Sequence, residues 1–148
     1  MSLKEKLTDD MKTAMKAKEK LRLSVVRMVR GAIRQAEIDG KTELDDDGVI
    51  AIISKEVKSR RDSIEEFRKG GRDDLVQQAE AEIAVLMPYL PQQLSEDEVR
   101  ALAKAAVAKT GAASPKDMGK VMGALMPEVK GRADGKMVNA VVRELLNS

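Results

Sequence analysis

Residues 116–146 read KDMGKVMGALMPEVKGRADGKMVNAVVRELL, and the spacing of their apolar side chains decides the fold. Met118, Val121, Met122, Leu125 and Met126 recur at i, i+3, i+4, i+7 and i+8, which is one face of a helix. Gly119 and Gly123 sit four apart beside that face. Each costs roughly 1 kcal/mol relative to alanine in a helix interior. The pair therefore implies close approach to the backbone, either by a neighbouring helix or by a sugar–phosphate chain. A turn rich in glycine and basic residues follows at Lys130-Gly131-Arg132. Asp134 then caps a last helix with Val138, Val141, Val142 and Leu145 inward.

Working upstream, Ser114 with Pro115 marks the start of the Met-rich helix, because proline suits the first helical position. Ser95-Glu96-Asp97-Glu98 has capping-box spacing, and Leu94 and Val99 sit where a hydrophobic staple places them. The helix they open carries Val99, Leu102, Ala106 and Val107 and stops near Gly111. Before it, Pro88-Tyr89-Leu90-Pro91 breaks the helical pattern. This break divides the chain into an N-terminal domain, 1–92, and a C-terminal domain, 93–148.

The N-terminal part reads as four helices. Ser2 with Glu5 forms another capping box, opening a helix that buries Leu3, Leu7, Met11 and Ala14. A second runs from about Glu19 to Ile38 with Leu21, Val25, Met28, Val29, Ala32 and Ala36 inward, and Gly40 is its terminating glycine. A third follows Asp45–Asp47 with a stripe of Val49, Ile52, Ile53, Val57, Ile64 and Phe67, stopping at Gly70-Gly71. The fourth follows Asp73 and buries Leu75, Ala79, Ile83, Leu86 and Leu90. The fold class is all-α: a four-helix N-terminal domain, as a bundle or as helical hairpins, plus a small three-helix C-terminal domain.

The residue types fit that class and restrict the chemistry. Nine methionines and many aliphatics accompany one Phe and one Tyr, with no Cys, His or Trp. The usual general base near neutral pH is missing, and zinc sites of His and Cys are excluded. No Ser-x-x-Lys spacing occurs. These absences argue against an autonomous enzyme, and no cofactor or metal is expected. No apolar run approaches the ~18 residues of a membrane span, so the expectation is a soluble, cytoplasmic protein without a membrane partner.

Three segments carry a resemblance: the joint Tyr89–Ser95, the segment Asp117-Met118-Gly119-Lys120-Val121-Met122, and Gly131-Arg132-Ala133-Asp134. With them the chain resembles, over essentially its whole length, the stand-alone YqeY-like members of the GatB/YqeY family. A related domain forms the tail of the B subunit of tRNA-dependent amidotransferases. The resemblance implies tRNA, or a tRNA-handling enzyme complex, as partner, and a link to glutamine-dependent carbon–nitrogen ligase activity. This chain lacks the B subunit's large catalytic domain, so the implied role is that of a non-catalytic accessory protein. The alternative is a protein–protein interaction adaptor that binds no RNA.

Charge agrees with a nucleic-acid partner. Residues 1–92 hold 18 Lys/Arg against 18 Asp/Glu, whereas Val99–Ser148 hold 9 against 4. The candidate RNA-binding residues are Lys120, Lys130, Arg132, Lys136 and Arg143, with Gly119 and Gly131 permitting approach. The turn at Gly131–Gly135 offers backbone N–H groups at a helix start, which favours anions. A secondary basic stripe, Lys20, Arg27, Arg30 and Arg34, lies opposite the apolar face of the second helix; an ordinary solvated face is the favoured account of it. With one Tyr and one Phe there is no platform for stacking single-stranded bases, so the RNA should be structured.

Other motifs fail on spacing. Asp45-Asp46-Asp47-Gly48 suggests a calcium loop, but Ser54 stands where the bidentate Glu belongs. Gly119-Lys120 is not a phosphate loop, since Ser114 replaces the first glycine and Val121 the Ser/Thr.

Overall fold

The structure, a computed structural model, describes residues 1–147. Its seven α-helices, with no strand among the described residues, are α1 (Leu3–Lys16), α2 (Lys20–Gly40), α3 (Asp46–Lys69), α4 (Asp73–Leu86), α5 (Glu96–Thr110), α6 (Met118–Val129) and α7 (Gly135–Asn147). Single 3₁₀ turns over Met87–Tyr89 and Pro115–Asp117 follow α4 and precede α6. The chain falls into two compact units, Met1–Leu90 and the part from Pro91 onward, each with its own core.

In the first unit α1 pairs with α2 and α3 with α4, and the two hairpins pack on each other. Leu7, Val25, Val26, Val29, Val49, Ile53, Val57 and Leu86 form the centre of the core. A smaller cluster of Ile64, Val76 and Ala79, with Phe67 and Ile83 against it, holds another stretch of the α3–α4 hairpin. The starts of α1 and α3 have local causes. Ser2 and Glu5 exchange side-chain and backbone hydrogen bonds, and the Asp45 carboxylate accepts from the Gly48 N–H at 2.9 Å. Asp46 also accepts from the Leu3 N–H at 3.0 Å, tying the start of α1 to that of α3.

Two expectations for α2 need correction. Its buried face is Val25, Val26, Val29 and Ile33, while Leu21 and Met28 are exposed. The helix is turned toward α1, because it must also cover that helix as well as α3 and α4. Nor does Gly40 take the left-handed conformation: Gly40 is the last helical residue and Lys41 holds φ +51°. The Glu37 carboxylate fixes that turn. It accepts from the Leu44 N–H at 2.8 Å and pairs with the Lys4 ammonium.

Tyr89 closes the first unit. It is buried, its hydroxyl donates to the Asp10 carboxylate, and the Lys6 ammonium lies 5.4 Å from its ring centroid. Burial, and then the hydrogen bond to Asp10, push its phenol well above the ordinary tyrosine range.

The second unit packs α5, α6 and α7 around Val99, Ala103, Val121, Leu125, Val138, Val141 and Val142. Ser95 and Glu98 form the capping box of α5, and Gly111 ends it at φ +68°. The Met-rich helix opens later than its sequence suggests, since Pro115–Asp117 form a 3₁₀ turn before α6.

Candidate nucleic-acid interface

In the second unit the acidic residues are largely consumed by the fold. Glu98 accepts from the Ser95 N–H at 3.2 Å, and Asp134 accepts from the Lys136 N–H at 3.1 Å. Asp117 accepts from the N–H groups of Ala113 and Ser114 at 2.9 and 3.4 Å. The Ala113 N–H does most to hold its carboxyl below the usual carboxylate range. Glu144 and Glu96 both pair with Arg100, at 3.1 and 3.3 Å.

The basic residues are not consumed in the same way. No ion pair joins Lys104, Lys109, Lys116, Lys130 or Arg143 to a carboxylate among the described residues. Lys120 lies 3.9 Å from Asp117, with its side chain 71% exposed. The positive field of this unit therefore faces solvent with little local neutralisation.

Two helix faces carry it. On α6, Gly119, Lys120, Gly123, Met126 and Pro127 are exposed, and Lys130 caps the C-terminal end. On α7, Lys136 and Arg143 are exposed and seven residues apart, hence on one side. The two helices pack together, and α7 also reaches the 3₁₀ turn that precedes α6. This hairpin puts Lys130, Arg132 and Lys136 at its turn and Lys120 nearer its other end.

Gly119 and Gly123 do not serve packing inside the unit. A Cβ built on either meets nothing within 4 Å. The neighbouring-helix explanation for this pair is thus replaced by an open strip of backbone on the outside of α6. Pro127 adds to it, because it has no N–H to donate to the carbonyl of Gly123 four residues earlier.

Gly131 and Arg132 have a different setting. Gly131 stands at φ +75°, where glycine is strongly favoured. Its carbonyl accepts from Gln93 Nε2 at 2.9 Å. The Arg132 carbonyl accepts from the Leu94 N–H at 2.7 Å, and Arg132 Nε donates to the Gln92 carbonyl at 3.2 Å. The basic turn is thereby latched to the segment that leads into α5. This latch was not legible in the sequence, because it joins residues about forty positions apart.

The secondary stripe lies on the other unit. Lys20, Arg27 and Arg34 are exposed along α2, and Arg30 is half-buried with Nη1 3.0 Å from Met11 Sδ. Among the described residues no three His, Cys, Asp or Glu side chains gather as a metal site would require. No helix there is long and apolar enough to cross a membrane.

Comparison with known proteins adds the following. A family model described as "Yqey-like protein" matches residues 4–146. The chain is similar to "Altered inheritance of mitochondria protein 41, mitochondrial" of Pyrenophora tritici-repentis, with 33% identity over 97% of this chain and 80% of the relative. The protein of the same name in Lachancea thermotolerans is 41% identical over 58% of this chain and 46% of its own length. For the Saccharomyces cerevisiae protein the figures are 34%, 58% and 47%. The chain thus spans about half the length of these two yeast relatives. Their names overturn the cytoplasmic location expected from the sequence. That expectation rested on missing cysteines and missing apolar spans, features that do not separate one reducing, aqueous compartment from another.

Proposed function

The chain belongs to the Yqey-like protein family, and from that premise we propose that it is a non-catalytic accessory protein that binds tRNA, or an enzyme handling tRNA, through its C-terminal unit. One observation carries the reading: most carboxylates of that unit are spent on caps and on Arg100, while Lys104, Lys109, Lys116, Lys130 and Arg143 stay unpaired among the described residues. Phosphate contacts come from α6 and α7, and the Gly119–Gly123 strip lets a sugar–phosphate chain lie close to the helix. A link to glutamine-dependent amidotransfer belongs to this reading as assistance to a separate catalytic subunit. The relatives' names support action in mitochondria.

Fluorescence anisotropy with labelled tRNA at several salt concentrations tests it. Four or five phosphate contacts on a structured RNA give a slope of log Kd against log salt of roughly 3.5 to 4.5. The triple variant Lys120→Ala/Lys130→Ala/Arg143→Ala should flatten that slope and abolish binding at moderate salt. Arg132 is left intact because it holds the latch. Absence of binding even at low salt sinks the proposal. The adaptor reading is favoured by one feature, Met126, which is 39% exposed beside the glycine strip. It predicts capture of a protein partner that Met126→Lys abolishes and salt leaves intact.

A further inference from the structure

A cavity of about 130 Å³ lies between α1 and α2, lined by Lys4, Leu7, Thr8, Arg30, Ile33, Arg34 and Glu37. The residues fall at i, i+3, i+4 on α1 and at i, i+3, i+4, i+7 on α2, so it is built by two facing helical stripes. Its floor is apolar and closed, since Leu7 and Ile33 are buried. Its wall is cationic.

The charges do not cancel. Glu37 is spent: it accepts from the Lys4 ammonium and from the Leu44 N–H, and these bonds, Lys4 first, hold it ionised below the usual range. Lys4 and Glu37 therefore neutralise each other. Arg30 and Arg34 remain, four residues apart on one wall. The contact recorded for the half-buried Arg30 guanidinium is the Met11 thioether at 3.0 Å, a weak acceptor for a group with five donors. Arg34 has no ion pair among the described residues. A net charge of two, presented by planar forks at the mouth of a small cavity, matches a compact dianion. The volume is enough for a tetrahedral oxyanion.

We propose that this α1–α2 cavity is a binding site for a phosphate dianion, free or as the terminal group of a phosphomonoester, held by Arg30 and Arg34 with Lys4 at its edge. The site belongs to the first unit and stands independently of RNA binding by the second. Arg30 and Arg34 act as a two-pronged clamp rather than as part of a diffuse stripe.

The test is calorimetric titration of the full chain with inorganic phosphate at constant ionic strength, against chloride as control. One-to-one saturable binding is expected. Arg30→Gln/Arg34→Gln should weaken it at least about ten-fold, the loss of charge-assisted hydrogen bonds. Lys120→Ala/Lys130→Ala should leave it unchanged. Arg34→Gln alone, at an exposed position, keeps the fold and should still weaken binding several-fold. Repeating the titration with a nucleoside monophosphate separates the sources: tighter binding names the ester, equal or weaker binding the free ion. No saturable heat above the chloride control, or equal binding by Arg34→Gln and the unmodified chain, overturns the proposal.

Discussion

At the scale of single residues, Tyr89 and Lys41 have the plainest consequences. Tyr89 is the only tyrosine, so its ionisation can be followed by ultraviolet absorbance without interference. Its folded phenol lies above the ordinary value. The sign follows directly: the contribution is complete below the unfolded value of about 10 and is lost as pH rises toward the folded one. The absorbance change should therefore coincide with loss of helical circular dichroism at alkaline pH. Tyr89→Phe removes the bond to Asp10 and should cost about 1.5 kcal/mol in urea unfolding at neutral pH. Lys41 holds a left-handed conformation that disfavours a Cβ. Lys41→Gly should raise stability by about 1 kcal/mol, read as a higher urea midpoint at unchanged slope. The sequence has a glycine one position too early for this turn. Its termination is set by Glu37, which bonds the Leu44 N–H across the turn and Lys4 on α1; no helix propensity encodes that.

Helix starts were readable where the whole device lies within four residues. Ser2 with Glu5, Asp45 with Gly48 and Ser95 with Glu98 are of this kind. The face of α2 was not, because Val26 and Ile33 are chosen by what α1 and the second hairpin offer them. α6 presents the opposite case. Its glycines contradict helix propensity, and no contact within the chain compensates. Gly119→Ala and Gly123→Ala should each stabilise the C-terminal unit by about 0.5–1 kcal/mol, measured by thermal unfolding. If the strip admits a sugar–phosphate chain, the same substitutions weaken tRNA binding in anisotropy. Gain of stability with loss of binding would be the signature of a functional glycine. Gain of stability with unchanged binding would remove the strip from the interface.

For the molecule as a whole, the two cores share no buried residue. Residues 91–148 expressed alone should therefore fold, with helical circular dichroism, a cooperative thermal transition and dispersed amide resonances. A fragment with none of these would show that its core is insufficient. The candidate site was legible only in part. Basic composition marked the C-terminal unit, but composition cannot tell a cation left to solvent, such as Lys130, from one engaged by the chain, such as Arg132. That distinction depends on residues brought together by the fold.

The latch between Gln92–Leu94 and Gly131–Arg132 also orders events during synthesis. Every hydrogen bond of that latch needs a residue that leaves the ribosome about forty positions after its partner. The first unit needs nothing beyond Leu90 and can finish while translation continues. The segment entering α5 has to wait until Arg132 has emerged. Translation thus holds the second unit open after the first is complete, and a nascent chain arrested before Gly131 should display a folded N-terminal unit and an α5 entry segment still accessible to protease.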